Sequence, residues 1–148
     1  VLYTQTGKTV KRMARKAKTH AKLKKELDAV FSKYIRWHYA DSNGIVECYT
    51  CGVQKPVKEM QAGHFQSRRH TSTRWDVEFG NVKPQCVKCN MFAQGEQYLF
   101  GQKLKAEIGE QAVEDLIALS RKSVKYSKGD LEYLIDLYKQ KLKDLDNS

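Results

Sequence analysis

Prolines (2) and glycines (9) are scarce among these 148 residues, which excludes a collagen-like chain and a mostly disordered one. Long apolar runs are missing as well. None exceeds a few residues, so no segment can span a bilayer and no secretory hydrophobic region is present. The length suits one domain and is too short for two ordinary ones. The chain begins at Val1 rather than Met, and nothing below depends on that start. Acidic residues are nearly absent from the first 40 positions, where Glu26 and Asp28 stand against 11 lysines and arginines, a balance of +9. The remaining 108 residues balance to +1, so almost all of the formal charge of +10 sits at the N-terminal end.

A basic arm of this kind suits a polyanion. Each Lys or Arg seated on a phosphate releases condensed counterions, with a slope of about 0.9 per contact against log salt. The plain alternative is a solvated helix face. A membrane surface fits less well, because Thr4 to Ala21 holds few large apolar residues to bury among headgroups.

Residues 1–18 lack a clean period and are expected to form a flexible basic arm. From Thr19 the pattern turns helical: Leu23, Leu27, Val30, Phe31, Tyr34, Ile35 and His38 fall on one face, predicting an amphipathic helix over 19–40. Asp41, Ser42, Asn43 and Gly44 end it. Residues 45–95 contain every cysteine and both prolines, with little helical period before Asn90. Three helical patterns follow in 96–148. The first holds Leu99, Phe100, Leu104 and Ile108, stopped by Gly109; the second Val113, Leu116, Ile117 and Ser120; the third Leu131, Leu134, Ile135, Tyr138, Leu142 and Leu145. Ser127 and Asp130 have capping-box spacing ahead of the third. Trp37, Trp75, Tyr98 and Phe100 are expected in the core, His38 as a helix-packing residue and His20 as a solvated one.

The four cysteines form two pairs, Cys48/Cys51 and Cys86/Cys89. Two residues between thiolates let one tight turn aim both sulfurs at a single ion, and two such knuckles complete a tetrahedral shell. Structural zinc is therefore expected, with no coordination position left for a substrate. A disulfide framework fits less well, because a cytosolic chain is kept reduced, and a thioredoxin-like redox pair fits less well, because no βαβ context or suitably placed proline accompanies a CxxC. Ordinary ribbons separate their pairs by roughly 15 to 20 residues. Here 34 residues separate Cys51 from Cys86, and they hold Gly63-His64-Phe65, then Arg68-Arg69-His70, Arg74 and Asn81-Val82. Asn90 stands directly after Cys89, where a helix is expected to open.

This order, CxxC, a strand bearing His, Asn-Val, then CxxC followed at once by Asn, resembles the zinc-stabilised His-Asn-His (HNH), or ββα-metal, endonucleases. Within them it is most similar to the phage NinG family of recombination nucleases, also called Rap. The matching text is Gln61-Ala62-Gly63-His64-Phe65, Asn81-Val82 and Gln85-Cys86-Val87-Lys88-Cys89-Asn90, with the helical pattern after it. The likeness spans about Leu23 to Leu145, and the two knuckles with their trailing Asn are also similar to phage Holliday-junction resolvases of the endonuclease-seven type.

The resemblance implies an α+β fold, a zinc-stabilised ββα-metal core with flanking helices in a single domain over 19–148. It implies a metal-dependent DNA endonuclease acting on branched recombination intermediates such as Holliday junctions and displacement loops. It also implies a location in the cytosol of a bacterial host. His64 would be the general base, since an imidazole with an ordinary pKa near 6.5 takes a proton at neutral pH. Asn90 would offer an oxygen to a catalytic Mg²⁺ or Mn²⁺, and Asn81 would brace the hairpin. Arg68, Arg69 and Arg74 are candidate phosphate contacts, with solvated surface arginines as the alternative. Many members of the wider superfamily carry an Asp just before the base, as a second metal ligand. Here that position is Gly63, as in the Arg-Gly-His nonspecific nucleases. Asp76, Glu78, His70 and Glu96 are then the candidate stand-ins. A four-way junction has two-fold symmetry, which a homodimer would match. The competing expectation is a noncatalytic zinc module that binds nucleic acid.

Overall fold

A computed structural model describes residues 17–146. Most of the expected basic arm, residues 1–16, lies outside the described residues.

Helix α1 (His20–His38) begins where the Thr19 hydroxyl accepts the Lys22 N–H at 3.2 Å. Leu23, Leu27, Phe31 and Ile35 recur every four residues and are buried, while Lys22, Lys25 and Lys33 face solvent. The buried stripe packs on the C-terminal helix α4 (Lys128–Asp146) through Leu131, Ile135 and Tyr138, with Trp75 and Val82 completing the cluster. Phe31 meets Tyr138 edge to face, ring centroids 4.9 Å apart. The start of α4 carries the expected reciprocal cap: Ser127 N–H donates to the Asp130 carboxylate at 2.8 Å and Asp130 N–H to the Ser127 hydroxyl at 3.0 Å.

Two short antiparallel ladders lie between these helices. Strands β1 (Ile45–Glu47) and β2 (Gln54–Pro56) form a hairpin whose tip is the first cysteine knuckle. A 3₁₀ turn over Val57–Glu59 leads into β3 (Met60–His64), which pairs with β4 (Val82–Cys86) so that Met60 faces Cys86 and His64 faces Val82. This register places His64 at one end of the ladder and the second knuckle at the other. Residues 65–81 connect the two strands as an irregular loop closed by Asn81.

After β4 the chain makes a single π-helical turn, Lys88–Phe92, rather than the α-helix expected at Asn90. Helices α2 (Gln97–Ile108) and α3 (Glu110–Ser120) follow and bury Phe100, Leu104, Val113 and Leu116 in a second apolar cluster. Gly109 separates them at φ +92°, a conformation that side chains with a Cβ rarely adopt, and so stops α2 where expected. Three packing expectations are corrected. Trp37 is 43% exposed and Tyr98 80% exposed, while His38 lies at the surface, stacked on the Tyr34 ring. The architecture is α+β: four helices and two small sheets among the described residues. Beside one ladder end sits a four-cysteine cluster.

Candidate functional site

The knuckle hairpin and the end of β4 bring all four sulfurs within 4.8 Å of one another. A regular tetrahedron with Zn–S of about 2.3 Å has edges of about 3.8 Å. The Cys51 and Cys86 sulfurs stand 3.7 Å apart, so the donor set fits one zinc ion. Cys48, Cys86 and Cys89 are buried among Val46, Val57 and Met60, and only Cys51 reaches the surface. Burial opposes the Cys48 thiolate, yet backbone N–H groups of Cys51 and Cys86, with the Thr50 hydroxyl, bring its pKa down to about 6. Burial raises Cys51 and pushes Cys89 up to about 12. Four neighbouring thiols cannot all ionise unaided, and a dication supplies the charge that would let them.

A cleft of about 760 Å³ opens beside this cluster. Its walls include Asp28, Gln61, His64, Arg68, Asn90 and Gln97. His64 ends β3 and is half-buried, with Nε2 2.9 Å from the Arg74 carbonyl. A carbonyl can only accept, so Nε2 carries the proton and Nδ1 keeps the lone pair. Burial lowers the His64 pKa below its ordinary 6.5 and so favours the neutral ring, while the backbone of Arg74 and Ala62 pulls the other way.

Asn90 sits in the π-helical turn, one residue past Cys89 of the four-cysteine cluster. Its Nδ2 donates to Gln61 Oε1 at 2.8 Å, which leaves Oδ1 as an acceptor on the cleft wall. Gln61 is three residues before His64 on β3 and so links the two. Gln97 Nε2 donates to the His64 carbonyl at 3.1 Å, tying the start of α2 to the same strand end. A neutral imidazole and a free amide oxygen thus share one opening. Together they can accept a proton from water and ligate a hard cation.

The chain matches the family model described as Bacteriophage Lambda NinG protein over residues 4–148. It belongs to the NinG family. No curated protein and no solved structure matches it.

In this NinG-family chain the other expected residues are placed as follows. Asn81 is fully buried and closes the 65–81 loop: Oδ1 accepts the Gln66 N–H at 2.6 Å, and Nδ2 donates to the carbonyls of Thr73 at 2.9 Å and Gln66 at 3.2 Å. Arg68 lines the cleft, whereas Arg69 is exposed outside it. Arg74 is not on the cleft wall itself; its guanidinium is held behind it by the Asp28 carboxylate. None of the four stand-in ligands reaches the opening. Asp76 instead caps the turn before β4, accepting from the N–H groups of Phe79 and Asn81.

Gly63 has a tertiary reason that the motif alone did not reveal. A Cβ there would lie 1.8 Å from Gln85 Oε1. Gln85 is itself fully buried, held by Nε2 donating to Thr50 Oγ1 at 3.0 Å and to the Gly95 carbonyl at 2.9 Å. The side chain of β4 therefore occupies the space that a carboxylate on β3 would need. Sequence reasoning also missed Asp28, Gln61 and Gln97. Gln61 lay within the matching motif text, but Asp28 belongs to α1, far from any motif, and only the fold brings it to the cleft.

Proposed function

We propose that this NinG-family protein is a metal-dependent endonuclease that hydrolyses phosphodiester bonds of DNA. Its substrates would be branched intermediates of phage recombination, such as Holliday junctions and displacement loops. In this reading β3, β4 and the Asn90 turn act as an HNH-type ββα-metal core, braced by the structural zinc. The observation that carries the reading is one cleft lined by both His64, whose Nε2 is held by the Arg74 carbonyl, and Asn90, whose Nδ2 is held by Gln61.

His64 Nδ1 takes a proton from the attacking water, the water oxygen bonds to phosphorus, and the P–O3′ bond breaks. The 3′ oxygen leaves and picks up a proton from solvent. Asn90 Oδ1 would hold a Mg²⁺ or Mn²⁺ ion, which when bound polarises the phosphate and stabilises the leaving oxygen. A single neutral protein ligand suits a cation that keeps most of its waters and leans on the substrate phosphate. Arg68 would receive a phosphate oxygen at the cleft edge, and exposed Arg69 a flanking phosphate. A homodimer presenting two such clefts would match the two-fold symmetry of a four-way junction.

The test is cleavage of a synthetic four-way junction in Mg²⁺ by the wild type and by His64→Ala. On this reading the wild type nicks, and the variant loses about 100-fold or more in rate while still binding. Binding without nicking by the wild type would instead point to a noncatalytic zinc module.

A further inference from the structure

We propose that Asp28 is the positioning residue for the His64 imidazole and acts through Arg74. The inference rests on the reading of His64 as proton acceptor and extends it to helix α1.

The connection runs through one residue's two ends. The Arg74 main-chain carbonyl accepts His64 Nε2–H at 2.9 Å, and the Arg74 side chain is gripped by Asp28. Asp28 Oδ1 accepts Arg74 Nε at 3.0 Å and Trp75 Nε1 at 3.0 Å, while Oδ2 accepts Arg74 Nη2. The side chains of Asp28 and Arg74 are 19% and 18% exposed, so water screens the pair weakly. Asp28 thus pins two consecutive side chains, 74 and 75, of a loop without regular structure to the rigid face of α1. Trp75 is additionally buried against the Tyr126 ring. A carbonyl fixed in this way holds Nε2 of the ring and favours the tautomer with the proton on that nitrogen.

Asp28 lines the cleft, yet its geometry argues against a role as cation ligand. Both oxygens already accept from the guanidinium of Arg74, and Oδ1 also from the indole of Trp75. The Arg68 guanidinium lies 3.6 Å from Oδ2 with its side chain 60% exposed. It is loosely attached, and so can move onto a phosphate without dismantling the Asp28–Arg74 pair.

Two variants separate positioning from folding. Asp28→Asn keeps the size and an acceptor for Trp75 but removes the charge. Arg74→Met removes the guanidinium and keeps the carbonyl. Nitrogen-15 NMR of the zinc-loaded protein without DNA reports the His64 tautomer. The expected result is an Nε2–H ring in the wild type and a substantial Nδ1–H population in each variant. With a four-way junction and Mg²⁺, kcat should fall about 10- to 100-fold at nearly constant KM. The double variant should be little worse than either single one. A folded Asp28→Asn protein with wild-type tautomer and kcat overturns the proposal. So does a loss explained by weaker Mn²⁺ binding, which would make Asp28 a cation ligand, or the failure of both variants to fold. If His64→Ala cuts as fast as the wild type, the reading of the base fails, while the tautomer measurement still reports on the tether.

Discussion

At the scale of single residues, the decisive features are a proton position and a missing Cβ. Burial lowers the His64 pKa below the ordinary 6.5 against the opposing pull of the Arg74 carbonyl, so the midpoint between neutral and charged ring lies below 6.5. On the proposed nuclease reading the base must be neutral to act, so the acid limb of junction cleavage should have its midpoint below 6.5. A rate profile with saturating Mg²⁺ checks this. An acid limb centred above 6.5 would show that another group limits the rate. Gly63 is the second feature. With Gln85 anchored at Thr50 and Gly95, a methyl group at position 63 cannot be accommodated by a simple side-chain swing. Gly63→Ala should destabilise the protein by about 1–3 kcal/mol in urea denaturation. Adding Gln85→Ala should recover part of that loss. The same clash means that restoring an Asp at position 63 would disturb the β3–β4 ladder before it could ligate a cation.

At the scale of elements, α1 has two faces with different work. One face holds Leu23, Leu27, Phe31 and Ile35 against α4, and Asp28 lies off that stripe toward the cleft. Leu27 is fully buried, so Leu27→Ala should cost about 3 kcal/mol, read as a shift in the urea midpoint at unchanged slope. The helices themselves were legible in the sequence because their signals are local: a four-residue apolar repeat in α1, Gly109 between α2 and α3, and the Ser127/Asp130 box. Other elements were not. The stretch after Cys89 becomes a π-helical turn, with the Ala93 N–H bonded to the Lys88 carbonyl at 2.8 Å and the Gly95 N–H to the Cys89 carbonyl at 2.8 Å. Its length is set by the second knuckle and by Gly95, whose carbonyl buried Gln85 holds. Trp37 and Tyr98 have the composition of core residues, and whether a neighbouring element covers them is not written in local periodicity.

At the scale of the whole molecule, the four-cysteine cluster joins parts that otherwise share little. It ties the β1–β2 hairpin to the end of β4 and the Asn90 turn, and the Tyr49 N–H to Pro84 carbonyl bond at 2.8 Å supports the same joint. On the far side of β4, buried Lys83 donates to Glu107 at 3.0 Å, and the Tyr49 hydroxyl donates to the same carboxylate at 2.6 Å. This docks α2 on the first knuckle. Removing zinc with a strong chelator should therefore release one ion per chain and lower the melting temperature by on the order of 10 °C or more. Circular dichroism with parallel metal analysis checks this. A chain that keeps its melting point after full metal loss would show that the apolar clusters alone hold the fold. Excess Mg²⁺ should not restore the zinc-free protein, because four thiolates make a poor site for a hard cation.

The sequence by itself determined the α+β composition, the helical scaffold and the two cysteine pairs, while His64 and Asn90 became candidates through the family resemblance. The helices and each CxxC knuckle are encoded in short spacings that local backbone geometry converts directly into structure. Tertiary structure decided the rest: that Gln85 fills the place of a second carboxylate, that Arg74 faces Asp28 instead of a phosphate, and that Gln61 orients Asn90. Those outcomes depend on which side chains from distant segments compete for the same few cubic ångströms, and no spacing along one chain records that competition.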